Sequence, residues 1–159
     1  MYIFLIIFLA YLFWTVPQYV MHRFAHVLIK KRYKNAMTIG ESNHHKYGKL
    51  YNYDTDHDPD LNWINVNKKF IIFGIFFVSF IIFMILNLHY ATLFFISCLL
   101  FSNFDLYIHK KMHLGHDGYI VNIVRYFHRI HHKTWKHNYA ILLGLPLDVI
   151  FLTFRLKQD

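Results

Sequence analysis

The chain has 159 residues, of which 56% are apolar and 20% aromatic, and it carries a formal charge of +8. That length allows one domain and no second catalytic module, and a soluble surface would not need so many Phe, Ile and Leu residues, so a bilayer is expected as part of the solvent. The basic excess is what membrane proteins carry on their cytoplasmic side, and no basic helix or aromatic-basic sheet pattern outside the membrane-flanking segments argues for nucleic acid. One cysteine, Cys98, excludes an intrachain disulfide.

In chain order, the first element is a nearly unbroken apolar run from Tyr2 to Val16, continued through Pro17 to Val20. With no basic residue ahead of it and no small-residue cleavage site, it reads as a retained membrane helix rather than a signal peptide. His22 and His26 follow at once. Thr38-Ile-Gly-Glu41 then fits a capping box opening a helix that carries His44 and His45. Glu41 has a second reading as a metal ligand, because Glu41, His44 and His45 lie at i, i+3 and i+4. His57, within Asp54-Thr-Asp-His-Asp-Pro, reads as loop.

The next apolar block, Phe70 to Ile108, is too long for one span. Divided at Asn87-Leu88-His89-Tyr90, it becomes two stretches, 70–87 and 91–108, each about 27 Å long at ~1.5 Å per residue and close to a hydrocarbon core. Asp105, one turn before His109, is a carboxylate near the end of a span. Such a group is costly and usually functional, and it is placed to accept a ring N–H from a ligating histidine. His109 and His113 follow the span, then a turn, Gly115-His-Asp-Gly118, in which Asp117 is a candidate helix cap. The last histidines are His128, His131, His132 and His137. A weaker apolar stretch, Tyr139 to Phe154, is interrupted by Gly144, Pro146 and Asp148 and is expected to lie at the membrane interface.

These elements predict an all-α, multi-pass membrane protein forming a single domain, 1–159. Its spans are about 2–20, 70–87 and 91–108, and its histidine-rich segments are 22–69 and 109–159. Three spans place both histidine-rich segments on one side. All seventeen Lys and Arg residues fall there, as do twelve of the thirteen histidines, the exception being His89. The positive-inside rule makes that side cytoplasmic, facing the cytosol from the endoplasmic reticulum if the cell is eukaryotic. The expected architecture is therefore a membrane hairpin plus one further span, an interfacial C-terminal helix and a histidine-rich helical cap.

Residues three or four apart share a helix face. His22/His26, His109/His113 and His128/His131/His132 can each present imidazoles to a common point. Imidazole is the commonest protein metal ligand and suits iron, zinc, copper and nickel. One ion cannot use nine histidines, so two neighbouring ions are expected, and the spacing alone does not choose between iron and zinc. His137 is a further candidate ligand or supporting residue. Arg125, Arg129, Lys133 and Lys136 flank the last box. They read as ordinary positive-inside charge or as a site for an acidic headgroup or electron carrier.

The run Tyr126-Phe-His-Arg-Ile-His-His132, then His137-Asn-Tyr-Ala140, then Leu145-Pro-Leu-Asp148 with Phe151 and Thr153, resembles the last third of the fatty acid hydroxylase superfamily. That group includes sterol desaturases, fatty-acid hydroxylases and short carotenoid hydroxylases. The layout of spans and boxes is similar from about His22 to Thr153. The resemblance implies a membrane-bound di-iron oxygenase. It would use O2, and electrons from a separate donor protein, to hydroxylate or desaturate a lipid of the fatty acyl, sterol or carotenoid class. It implies His22, His26, His44, His45, His109, His113, His128, His131 and His132 as metal ligands. The second box departs from the pattern, with Glu41 where its first histidine is expected, which keeps a catalytically inactive metal-binding relative in view. A non-redox, zinc-dependent lipid-modifying enzyme is the other class of reading, with Glu41 as a general base. A metal carrier fits less well, because transporters place polar ligands at the bilayer midplane.

Overall fold

The computed structural model describes residues 2–50, 61–113, 118–138 and 142–156. Within them the regular structure is entirely helical: α1 (Tyr2–Lys30), α2 (Ala36–Leu50), α3 (Leu61–Ile85), α4 (Leu88–His113), α5 (Tyr119–Thr134) and the short α6 (Leu145–Ile150), which a 3₁₀ turn at Leu142–Gly144 precedes. Of the expected features, His57, His116, Asp117, Tyr139 and Ala140 lie outside the described residues.

Two helices are long and apolar enough to cross a membrane, Tyr2–Lys30 and the Leu88–His109 portion of α4. The apolar part of α3, Ile72–Ile85, is shorter. These three pack at their apolar ends around Ile6, Ala10, Ile75, Phe94 and Cys98, all almost fully buried. Small residues set the spacing. The Cys98 thiol lies 3.8 Å from the Ala10 carbonyl, and a Cβ on Gly74 would already touch the Phe13 ring at 3.4 Å. Phe13 in turn meets Phe94 edge-on at 5.6 Å between ring centres. Small side chains permit this close backbone approach, which matters where packing rather than water exclusion holds helices together.

The outer surface of the same bundle is apolar too. Phe73, Phe76, Phe77 and Phe80 on α3, and Phe4 and Phe8 on α1, are each more than half exposed. A stripe of this size is a liability in water and a match for lipid.

The helices do not stop where the apolar runs end. α1 continues through His22 and His26 to Lys30, and α4 through Asp105 and His109 to His113. The rigid rods of the bundle therefore carry the histidines directly. At the opposite end, Asn87 caps α4, its side-chain oxygen accepting from the Tyr90 amide at 3.1 Å. α4 thus begins at Leu88, earlier than the span expected from residue 91. α5 is strongly two-faced and buries Val124, His128, Ile130, His131 and His132. Val124 seats on Ile108 and Met112 of α4, which fixes α5 one turn below its first histidine.

The C-terminal stretch is less helical than an interfacial helix. α6 has only 6 residues, and after it Leu152 takes a left-handed φ of 55°. Val149, Ile150, Phe151 and Leu152 are exposed, whereas Asp148 is fully buried. Of the three residues that interrupt the apolar pattern, Gly144 and Asp148 are taken inside and Pro146 is left exposed.

Candidate metal centre

Four helices bring their polar ends to one place, and there the histidines divide into two groups. In the first, one donor atom each from His22, His26, Glu41, His45 and His131 lie within 4.8 Å of one another. In the second, His44, His128 and His132 converge to the same tolerance. Helical spacing accounts for the division. On α2, Glu41 and His45 are one turn apart and face the first group, while His44, about 100° round the helix, faces the second. On α5, His128 and His132 are one turn apart in the second group, and His131 turns to the first. Because both helices serve both groups, the groups are adjacent: the His45 and His132 rings are 4.3 Å apart, centre to centre.

Glu41 sits at the middle of the first group. It is 2% exposed, and its Oε1 lies 2.9 Å from His22 Nε2, 3.2 Å from His26 Nε2 and 3.0 Å from His45 Nε2. Of the three, the His22 contact is a hydrogen bond, whereas the His26 and His45 nitrogens approach without hydrogen-bond geometry. Burial by itself would raise the Glu41 carboxyl, but the neighbouring His22 and the three imidazole contacts hold it well below the usual carboxylate range. Burial pushes His45 down to about 4, against a smaller opposing pull from Glu41. Burial likewise holds His131 well below an ordinary imidazole, and His22, His45 and His26 press in the same direction. At neutral pH Glu41 is therefore an ionised carboxylate and His26, His45 and His131 are neutral rings, the protonation state in which these side chains ligate a metal. One carboxylate oxygen facing three imidazole nitrogens is poorly served by hydrogen bonds alone. A cation drawing on all of them suits this donor set, so the residues fit a metal.

The second group has no carboxylate. His132 Nε2 and His128 Nε2 are 2.9 Å apart. His109 stands against this pair, with its ring 5.0 Å from His128 and 5.3 Å from His44. His113 ends α4, but its side chain lies outside the described residues. His89 is exposed near the start of α4, at the far end of that helix from His109.

Several supporting residues take roles other than those their spacing suggests. The helix carrying Glu41 begins at Ala36, and its cap is Asn35. Asn35 Oδ1 accepts from the Thr38 amide, and Thr38 Oγ1 accepts from the Asn35 amide, both at 2.9 Å. The capping box thus lies one turn earlier than Thr38–Glu41, and Glu41 is left for the histidines. Asp105 accepts from the Trp14 indole at 3.3 Å and from the Leu143 amide at 3.4 Å rather than from a histidine ring. It ties α4 to α1 and to the 3₁₀ turn. Arg125 donates to the Met112 and Lys111 carbonyls, capping the end of α4, which leaves Lys133 and Lys136 as the exposed cations beside the last box. His137 turns its ring to Arg155 at 3.2 Å and offers its backbone carbonyl to His131 Nδ1 at 2.9 Å. A carbonyl only accepts, so His131 is the Nδ1–H tautomer and its buried Nε2 carries the lone pair.

Trp135 has no counterpart in the sequence reading. Its ring lies 4.3 Å from that of His45 and 5.5 Å from that of His26, covering the first group at the left-handed end of α5 (φ 58°). Tyr19, three residues before His22, was equally unmarked, and its hydroxyl bonds Thr153 Oγ1 at 2.8 Å. A tryptophan just past the last histidine box was the available signal for the former. The latter had none, since its partner is 134 residues away.

Searches against protein-family models, curated proteins and solved structures found no match.

Proposed function

We propose that this chain is an integral membrane protein that holds two metal ions, iron in preference to zinc, and uses O2 to hydroxylate or desaturate a lipid. The observation that carries the reading is the pair of adjacent donor groups, five donors and three, built on shared helices at the polar end of an apolar bundle. Bound redox-active ions would supply the oxidant for an unactivated C–H bond, which no side chain provides.

The chain's own residues supply the setting. His22, His26, Glu41, His45 and His131 would hold one ion; His44, His128 and His132, with His109 beside them, the other. Glu41 brings the negative charge that offsets a dication at a buried site. The apolar faces of α1, α3 and α4 meet lipid, so a substrate chain reaches the histidine end without crossing water. In this reading α1, α3 and α4 all span the bilayer, with the donor groups on the cytoplasmic side because the Lys and Arg residues collect there. Electrons come from a separate donor protein.

The test is metal content per chain in detergent-purified protein, beside a His128→Ala/His131→Ala double variant, with lipid products compared in air and under anaerobic conditions. About two irons per chain, lost in the variant, with O2-dependent lipid products, is the expected result. Zinc with oxygen-independent lipid turnover would replace this reading with the hydrolytic or isomerising one. No metal in either protein would remove the enzyme reading.

A further inference from the structure

Asn138 is 1% exposed and has a left-handed φ of 53°. Every polar atom of this residue that faces the C-terminal strap is engaged. Its amide donates to the Thr153 carbonyl at 2.9 Å. Its Oδ1 accepts from the Arg155 amide at 2.8 Å, and its Nδ2 donates to the Arg155 carbonyl at 3.0 Å and to the Phe127 carbonyl at 3.4 Å. One side chain therefore joins residues 153–155 to α5 in the manner of a strand pair. The strap is itself anchored. Thr153 Oγ1 donates to Asp148 Oδ1 at 2.6 Å and bonds the Tyr19 hydroxyl on α1 at 2.8 Å.

The residue before Asn138 supplies the carbonyl that holds His131 Nδ1. A peptide carbonyl aims a ring only if its own plane is fixed, and the plane between His137 and Asn138 is fixed by Asn138. We propose that Asn138 is a positioning residue for the first donor group, clamping the 135–138 turn so that the His137 carbonyl keeps His131 in the Nδ1–H tautomer with Nε2 facing Glu41. The assignment rests on the metal-holding part of the reading above and not on any oxygen chemistry. Outer contacts of this kind are worth about 10–100-fold in metal affinity. A buried asparagine also suits the position for a second reason, since it tolerates positive φ better than other residues with a side chain.

The experiment is a cobalt(II) titration of the full chain in detergent after chelation, read by optical spectrum, together with ¹⁵N-histidine NMR of the metal-free protein. Glu41→Ala identifies the first group's transition. Asn138→Gly keeps the backbone conformation and removes the clamp. Asn138→Asp keeps the acceptor and removes the donors, and serves if the glycine variant folds poorly. Tyr126→Phe, which removes an outer hydrogen bond from the same strap to Leu156, is the control.

The expected result is a loss of about 10–100-fold in first-group affinity in Asn138→Gly, and a smaller loss in Asn138→Asp. The second group should be unchanged, and the His131 signal should move from Nδ1–H to a mixture of tautomers. Equal weakening of both groups would show a merely structural residue and overturn the proposal. So would unaltered affinities with an unaltered His131 tautomer. A wild-type chain that takes up no cobalt, yet shows the tautomer change in the variant, would bring down the metal reading while leaving the positioning of His131 standing.

Discussion

The two donor groups share α2 and α5 and touch through His45 and His132, yet they are built on different electrostatic terms. The first encloses a carboxylate with four imidazoles, closed by Trp135 and by the His137 carbonyl. The second is imidazole only, with two ring nitrogens 2.9 Å apart and His109 alongside. In the first, a fixed negative charge already organises the rings before any cation arrives. In the second, nothing but ring orientation does so. The difference teaches that the groups should be separable: one depends on charge, the other on the geometry of α5 against α4.

The sharpest way to break the comparison is at Glu41. Glu41→Ala should remove the first ion and lower metal content from two per chain to one, an effect larger than the ~10–100-fold of an outer-shell change. Glu41→Gln, which keeps the shape, should bind nearly as poorly, and elemental analysis of both variants checks this. Equal binding by Glu41→Gln and wild type would mean that charge is not what distinguishes the first group. Next in size, His128→Ala should remove the second ion and leave the first, since Val124 still seats α5 on α4. Loss of both ions would show that the groups act as one site.

A smaller effect is expected from acid on the metal-free protein. His45 has a folded value of about 4 against an unfolded value of about 6.5. The unfolded chain therefore takes up the proton first. Stability is full above pH 6.5 and falls as pH drops towards 4, by about 3 kcal/mol from this residue. His131, lowered in the same direction, adds to the loss. Glu41, also lowered, contributes a further loss below about pH 4.5 as its carboxylate is protonated. Chemical denaturation at pH 7 and pH 4.5 measures the slope; a flat profile would contradict the buried, neutral state of the rings. The smallest effect should come from Asp105→Asn. It weakens two hydrogen bonds to a buried carboxylate, at a cost of about 1–3 kcal/mol, and leaves metal content unchanged. A loss of metal would place Asp105 in the donor set after all.

Much of this was legible in the chain itself. Apolar runs long enough for a bilayer marked α1 and α4, the i, i+4 pairs marked which histidines share a face, and the concentration of histidine and positive charge outside those runs placed them at one end. These are local properties: helical spacing and hydropathy need only neighbours within a few residues. Legibility failed where a local rule had two outlets. Thr38–Glu41 has the spacing of a capping box, and Asp105 has the spacing of a histidine's partner. Asn35 outcompetes the first and Trp14 the second, because each is better placed once the helices are packed.

What the sequence by itself determined, then, are the two long apolar helices and the helix faces shared by donors one turn apart. Tertiary structure alone decided how those faces meet: that His44 and His45, adjacent in sequence, belong to different groups; that Glu41 is enclosed by α1 and α5; and that the His137 carbonyl, not its ring, serves the centre. The reason is that a helix sets directions about its own axis, whereas convergence depends on the distance and rotation between axes. Contacts between helices, such as Ala10 against Cys98 and Val124 against Met112, set those, and no spacing within one helix fixes them.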